Sequence, residues 1–104
     1  MVEVVRSATF DRWLNKLKDR RAAARVVIRI NRLAVGNAGD GKPVGHGVSE
    51  LRIDYGPGYR LYYLREADRL ILLLTGGDKS SQDADIRTAH HLAREWRTQE
   101  GPRT

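Results

Sequence analysis

The residues best equipped for chemistry in this chain are cations placed on strands. Alternation through residues 48–55 sets Glu50, Arg52 and Asp54 on one side of an extended segment, with Ser49, Leu51, Ile53 and Tyr55 on the other. In the next apolar stretch Arg60 alternates with Tyr59 and Leu61, so it shares a side with Tyr62. Lys79 follows the third apolar run, and Lys42 lies in a glycine-rich stretch ahead of residue 48. On a sheet that is concave on this side, Arg52, Arg60, Lys79 and Lys42 converge on one surface. Arginine and lysine gathered without dense carboxylates grip phosphate and stabilise the additional negative charge of a phosphorane transition state. The same spacing fits a plainer arrangement, in which Arg52 pairs with Glu50 or Asp54 and serves only solubility. Arg60 is expected on an open sheet face, where truncation to alanine costs little stability.

Other reactive side chains carry weaker signals. Tyr62 shares a side with Arg60 and is a candidate for stacking on a base, whereas Trp13 and Trp96 fall at helical core spacing. His46 sits near Lys42 in the glycine-rich stretch and is a candidate nucleic-acid contact. His90 falls close to Ile86 on a helical wheel and reads as a packing residue; His91 is turned outward. Gly76-Gly77-Asp78-Lys79-Ser80-Ser81 has the look of a phosphate-cradling loop but lacks its full spacing, and a strand-to-helix turn with a cap explains it equally well. The three histidines lack the spaced carboxylates of a metal site, and there is no cysteine. No metal and no cofactor are expected.

These residues need a scaffold. Valine-rich residues 1–6 suit a first or edge strand, and Ser7 or Thr9 can cap the helix that follows. Phe10, Trp13, Leu14 and Leu17 repeat at helical spacing. A second helix fits residues 20–35, with Val26, Val27, Ile30, Leu33 and Ala34 inward and Arg21, Arg25, Arg29 and Arg32 on another face. Residues 36–47 hold five glycines and Pro43 and read as loop. Strands follow at 48–55, 59–65 and 70–75, joined by a Gly56-Pro57-Gly58 turn and a turn at Ala67-Asp68. The last strand is a continuous apolar run, as a central strand would be. Ser80 or Ser81 then caps a final helix with Ile86, Ala89, Ala93 and Trp96 inward. The order β-α-α-β-β-β-α predicts an α+β fold, an N-terminal helical hairpin packed on an antiparallel sheet with a C-terminal helix.

Composition narrows the class. A chain of 104 residues is expected to form one domain spanning 1–104. At 40% apolar it can build one core with little left for a deep pocket, so a shallow site is expected. No stretch reaches the roughly 20 apolar residues of a membrane span, charges interrupt any signal-peptide pattern, and a cytoplasmic location is expected. The net charge of +6 is concentrated in residues 1–35, which carry nine Lys/Arg against three Asp/Glu. Such a field favours an anionic partner, although solvated helix faces would also account for it.

The run Val48-Ser49-Glu50-Leu51-Arg52-Ile53-Asp54-Tyr55-Gly56-Pro57-Gly58-Tyr59-Arg60-Leu61-Tyr62-Tyr63, with Leu72-Leu73-Leu74-Thr75-Gly76-Gly77-Asp78-Lys79-Ser80-Ser81-Gln82, resembles the addiction-module killer-protein family. That family is a phage-derived branch of the RelE/ParE toxin superfamily, close to HigB toxins. Residues 10–17, Arg29-Ile30-Asn31-Arg32-Leu33, Gly36-Asn37-Ala38-Gly39-Asp40 and Lys42-Pro43-Val44-Gly45 extend the likeness over residues 3–97. The resemblance implies a RelE-like fold, a helix-turn-helix antitoxin as partner, and a toxin that enters the ribosome and cuts mRNA through attack of the ribose 2′-hydroxyl. By motif, Arg60 matches the arginine at the scissile phosphate, Arg52 a strand lysine that serves as base or charge stabiliser, and Lys79 a basic residue that assists the leaving group. RelE has a catalytic tyrosine near its C-terminus, and no tyrosine follows Tyr63 here. The acid–base role then falls to Lys79, Asp78, a histidine or the ribosomal RNA, since protonated arginine is a poor base. Two other readings share the scaffold: a ParE-like inhibitor of DNA gyrase, and a non-catalytic module that binds RNA or an acidic protein.

Overall fold

The computed structural model describes residues 2–36 and 41–100. Its elements run β1 (Glu3–Arg6), α1 (Ala8–Lys16), α2 (Arg20–Ala34), β2 (Lys42–Gly45), β3 (Val48–Ile53), β4 (Tyr59–Glu66), β5 (Leu70–Gly77), a 3-10 turn (Lys79–Ser81) and α3 (Gln82–Glu100). This is the anticipated α+β order with one strand added.

Local chemistry explains where the helices begin. The Ser7 hydroxyl accepts from the Phe10 amide at 2.9 Å and donates to the Leu74 carbonyl at 2.6 Å, so one side chain both caps α1 and ties it to β5. Asp19 caps α2 by accepting from the amides of Arg21 and Ala22. On α2 the buried stripe is Ala22, Val26, Ile30 and Leu33. Val27, expected inward, is 41% exposed because it lies a step of helical rotation away from that stripe. Arg21, Arg25 and Arg32 are exposed and Arg29 is half-buried.

The sheet order is β1-β5-β4-β3-β2. β1 lies parallel to β5 at one edge, and the remaining pairs are antiparallel. The loop expected over residues 36–47 is corrected in part. Lys42–Gly45 forms the opposite edge strand, where Pro43 is tolerated because an outer strand need not donate from every amide. Residues 37–40, which include part of one motif, lie outside the described residues. His46 and Gly47, at φ +56° and +75°, close the β2–β3 hairpin with the two left-handed residues that a tight turn of this hand requires.

Helices cover both faces of the sheet. Phe10 of α1 and Val26, Ile30 and Leu33 of α2 pack with Leu51, Ile53, Leu61, Tyr63, Ile71 and Leu73. On the other face, Ala89 and Ala93 of α3 pack with Val48, Tyr62, Leu64, Leu72 and Leu74, flanked by Ile86 and Trp96. The sheet face expected to stand open is therefore covered over most of its length, and only the end that carries Arg52 stays uncovered.

A bulge in β5 sets which side chains reach that end. Tyr62 pairs with Thr75 and Tyr63 with Leu73, which leaves Leu74 as the additional residue. Before it, Leu72 faces α3 and Leu73 faces the helical pair. After it the sides exchange, so Gly76 meets Trp13 of α1 while Gly77 meets Asp85 of α3.

A candidate phosphate-binding groove

The uncovered end of the sheet is a groove of about 510 Å³, walled by the end of β3, the turn 54–58, the start of β4 and the residues after β5. Arg52, Arg60 and Lys79 all line it, joined by Arg29 from α2, and among the described residues Asp54 is the one acidic residue of its lining. In the β3–β4 register Arg52 stands directly opposite Arg60, so the two share a side of the sheet. Gly58 brings the parts together. It adopts φ +80°, and a Cβ there would lie 3.7 Å from Arg60 Nη1 and 3.9 Å from Lys79 Cβ.

The two arginines differ in their surroundings. Arg52 is exposed and makes no side-chain hydrogen bond or ion pair among the described residues, so the pairing with Glu50 or Asp54 does not form. Arg60 is 4% exposed, which corrects the expectation that it projects from an open face. Its Nη1 donates to the Gly58 carbonyl at 3.0 Å, and its Nε lies 3.6 Å from Glu50 Oε2 without forming a hydrogen bond. Glu50 is itself 3% exposed and accepts at Oε2 from the Tyr62 hydroxyl at 3.1 Å and the Gln82 amide at 2.9 Å. A buried carboxylate thus sits behind the groove, neutralises the Arg60 charge, and is held by donors from β4 and α3.

Tyr62 is consequently placed otherwise than expected. It is fully buried, and its ring presents no face to a base. Burial first, and then the adjacent Glu50 carboxylate, push its phenol well above the usual tyrosine range, so it serves as a hydrogen-bond donor. Tyr59 is the aromatic ring that lines the groove. Its ring meets Trp13 edge-on at 6.3 Å, and its phenol is raised by burial and then by Asp19 and Asp78. Sequence reading assigned Tyr59 and Arg29 no role. The signal for Tyr59 was its position next to Arg60, at the first residue of a strand.

The segment after β5 is a capped turn. Asp78 accepts from the Ser80 amide at 2.9 Å and from the Ser80 hydroxyl, and the Ser81 hydroxyl faces the Asp78 amide. Those bonds lower the Asp78 carboxyl below its ordinary value. Asp78 is therefore the cap of the 3-10 turn that leads into α3, with the Ser81 side chain completing its capping box. Gly76 and Gly77 leave room for Trp13 and for Asp85, respectively. The cradle-like spelling Gly76-Gly77-Asp78-Lys79 is thus explained by packing and capping, while Lys79 remains exposed at the groove.

Other candidates stand apart. Lys42 is exposed on β2, opposite Glu50 in register, and does not line the groove. His46 occupies the β2–β3 turn, at the far end of the sheet from residues 54–58. His90 is half-buried against the Val44 carbonyl, and the exposed His91 pairs with Glu95. Trp96 donates to Glu66, in keeping with a packing role. Among the described residues no group of three or more His, Cys, Asp or Glu could hold a metal, and no helix is long and apolar enough to cross a membrane.

Residues 12–96 match the family described as phage derived protein Gp49-like (DUF891). A Haemophilus influenzae (strain Rd) protein, itself described as uncharacterized, is 51% identical over 94 residues, which cover 90% of this chain and 95% of that relative. Motifs, scaffold and comparisons agree: the chain belongs to the phage-derived Gp49-like family, a RelE-like family associated with the toxins of toxin–antitoxin systems.

Proposed function

We propose that this protein is the toxin of a type II toxin–antitoxin pair and stops translation by cutting mRNA on the ribosome, as HigB-like toxins do. The observation that carries this reading is the meeting of Arg52, Arg60 and Lys79 in one groove, with Arg29 beside them and a single carboxylate in the lining. A helix-turn-helix antitoxin is the partner this family association favours.

The chemistry follows from the groups present. The nucleophile belongs to the RNA: its 2′-oxygen bonds to the adjacent phosphorus as the bond from phosphorus to the 5′-oxygen breaks. The step therefore needs a proton acceptor, a proton donor and charge stabilisation, and no bound ion. Arg60, oriented by Glu50 and the Gly58 carbonyl, holds the scissile phosphate. Arg52 opposite it stabilises the charge that grows on the non-bridging oxygens. Lys79 supplies a proton to the departing 5′-oxygen, and Asp54 accepts the 2′-hydroxyl proton. The raised Tyr59 phenol stays protonated and donates a hydrogen bond to the substrate.

The test is translation in a purified cell-free system. The protein should generate mRNA fragments with 2′,3′-cyclic phosphate and 5′-hydroxyl ends. Arg52→Ala, at an exposed position, should lower cleavage by about 100- to 1,000-fold while the protein melts as the wild type does. Gyrase supercoiling should be unaffected. Intact mRNA under stalled translation, or inhibited gyrase, overturns the proposal.

A further inference from the structure

At the opposite end of the sheet from the groove, the β2–β3 turn and α3 enclose a second, smaller hollow of about 260 Å³, lined by His46, His90, Arg94, Arg97 and Thr98. Among the described residues no acidic side chain lines it. Glu95, the neighbouring carboxylate on α3, pairs with His91. Two of the groups around the hollow, Arg97 and His90, are held in place. Arg97 Nη1 donates to the His46 carbonyl at 2.7 Å, and its guanidinium lies over Gly47, where a Cβ would come within 2.3 Å of Nη2. His90 Nε2 lies 2.8 Å from the Val44 carbonyl and so donates to it, which leaves Nδ1 as its free ring nitrogen. The rings of His46 and His90 meet at 4.4 Å. Arg94 makes no side-chain bond among the described residues.

His46 is also in an unusual backbone state. It holds φ +56° at a turn position where asparagine or glycine fits without strain. A residue kept in a disfavoured backbone conformation, with its ring against a second imidazole in a hollow that two arginines also line, points to a ligand. Two guanidiniums, those of Arg94 and Arg97, beside the His46 ring and with no acid among the described lining residues, match an anion with several acceptor oxygens, and a phosphate is the natural one.

We propose that this hollow is a second phosphate site, which takes a backbone phosphate of the same RNA strand that enters the groove. The proposal rests on the nucleic-acid reading of the groove and extends it to a footprint. Val48, the β3 residue beside the turn, stands four positions before Arg52, so the two sites lie roughly 13 Å apart along the sheet or somewhat more. Lys42 is exposed between them, opposite Glu50 on β3. Cations therefore mark a path from the groove along the β2 edge to the hollow, the electrostatic pattern of a single-strand track.

Binding of uncleavable 2′-O-methyl oligoribonucleotides, followed by the imidazole resonances in NMR, tests it without reference to activity. An oligonucleotide of about eight residues should move the His46 and His90 signals together with groove signals. A dinucleotide, too short to span both sites, should move groove signals alone. The double variant His46→Asn and Arg94→Gln keeps a residue suited to the turn and removes a guanidinium with no partner to lose. It should weaken binding of the longer strand by about tenfold and reduce the steepness of its salt dependence by about 0.7 for the lost phosphate contact. Unmoved imidazole signals, or a variant with unchanged affinity and salt slope, overturn the proposal. RNA that binds both sites and is never cut refutes the nuclease reading alone. Cleavage with silent imidazoles refutes the second site alone.

Discussion

Replacing Arg60 by alanine should unfold the protein more readily as well as silence it, and the size of the effect can be worked from its surroundings. Arg60 and Glu50 are 4% and 3% exposed, with Nε 3.6 Å from the carboxylate. Truncation leaves a buried carboxylate without its counter-charge. Loss of one partner from a buried pair costs about 3–5 kcal/mol. Two donors, from Tyr62 and Gln82, remain on Glu50, and the original contact lacks hydrogen-bond geometry, so the low end, about 3 kcal/mol, applies. For a domain of this size that corresponds to a fall in Tm of roughly 12–20 °C. Urea melts provide the assay, with an unchanged m-value confirming that the same surface unfolds. The mechanism makes a second demand. If the unpaired charge is the cause, Glu50→Gln in the Arg60→Ala background should restore about 1–2 kcal/mol, because a neutral amide is less costly to bury than a carboxylate. A single variant within about 0.5 kcal/mol of wild type, or a double variant no more stable than the single, would refute the reasoning.

Two further outcomes probe the frame around the groove. Gly77→Ala would set a Cβ 1.8 Å from Asp85 Oδ2 and 2.8 Å from Ser81 Oγ, and should destabilise by about 2 kcal/mol in a thermal melt; an unchanged Tm would show that the start of α3 yields freely. At alkaline pH the unfolded chain releases its tyrosine protons near pH 10, whereas the Tyr62 phenol keeps its proton, so stability should fall as pH rises above about 10. Tyr62→Phe should remove part of that slope, leaving the share of the likewise raised Tyr59, and an identical slope would mean that Tyr62 ionises as freely folded as unfolded.

Much of this arrangement was legible because it is local. The spacing of Phe10, Trp13, Leu14 and Leu17 and the stripe through Val26, Ile30 and Leu33 report helices directly, since their periods depend on the chain alone. Alternation gave the side each of Arg52 and Arg60 takes within its own strand, and the β3–β4 pairing, with the two directly opposite, sets them on one side of the sheet. Alternation says which side a residue takes, however, and says nothing about what covers it. The burial of Arg60, the role of Glu50 as its counter-charge and the withdrawal of Tyr62 all follow from α3 lying over that side. β2 was hidden for a related reason: Lys42–Gly45 has the composition of a loop and becomes a strand by pairing with β3. The separation of His46 from the groove reflects hairpin geometry, because the β2–β3 and β3–β4 turns close opposite ends of the same strand.

The surplus residue in β5 has a consequence for how this scaffold can vary. Upstream and downstream of Leu74 the strand follows two opposite phases, one serving the apolar interior and the other aiming the exit toward α3 and Lys79. The interior can therefore be rebuilt without redirecting the exit, which takes its sides from its pairing with β4. Excision of that one leucine would leave Thr75, Gly76 and Gly77 opposite Tyr62, Leu61 and Arg60, on the sides they already take, and would remove instead a fully buried side chain under α3 and the carbonyl that accepts from the Ser7 hydroxyl. Relatives that keep the motifs but lack this offset should keep the aim of the exit and differ in how α1 is tied to the sheet and how α3 is packed.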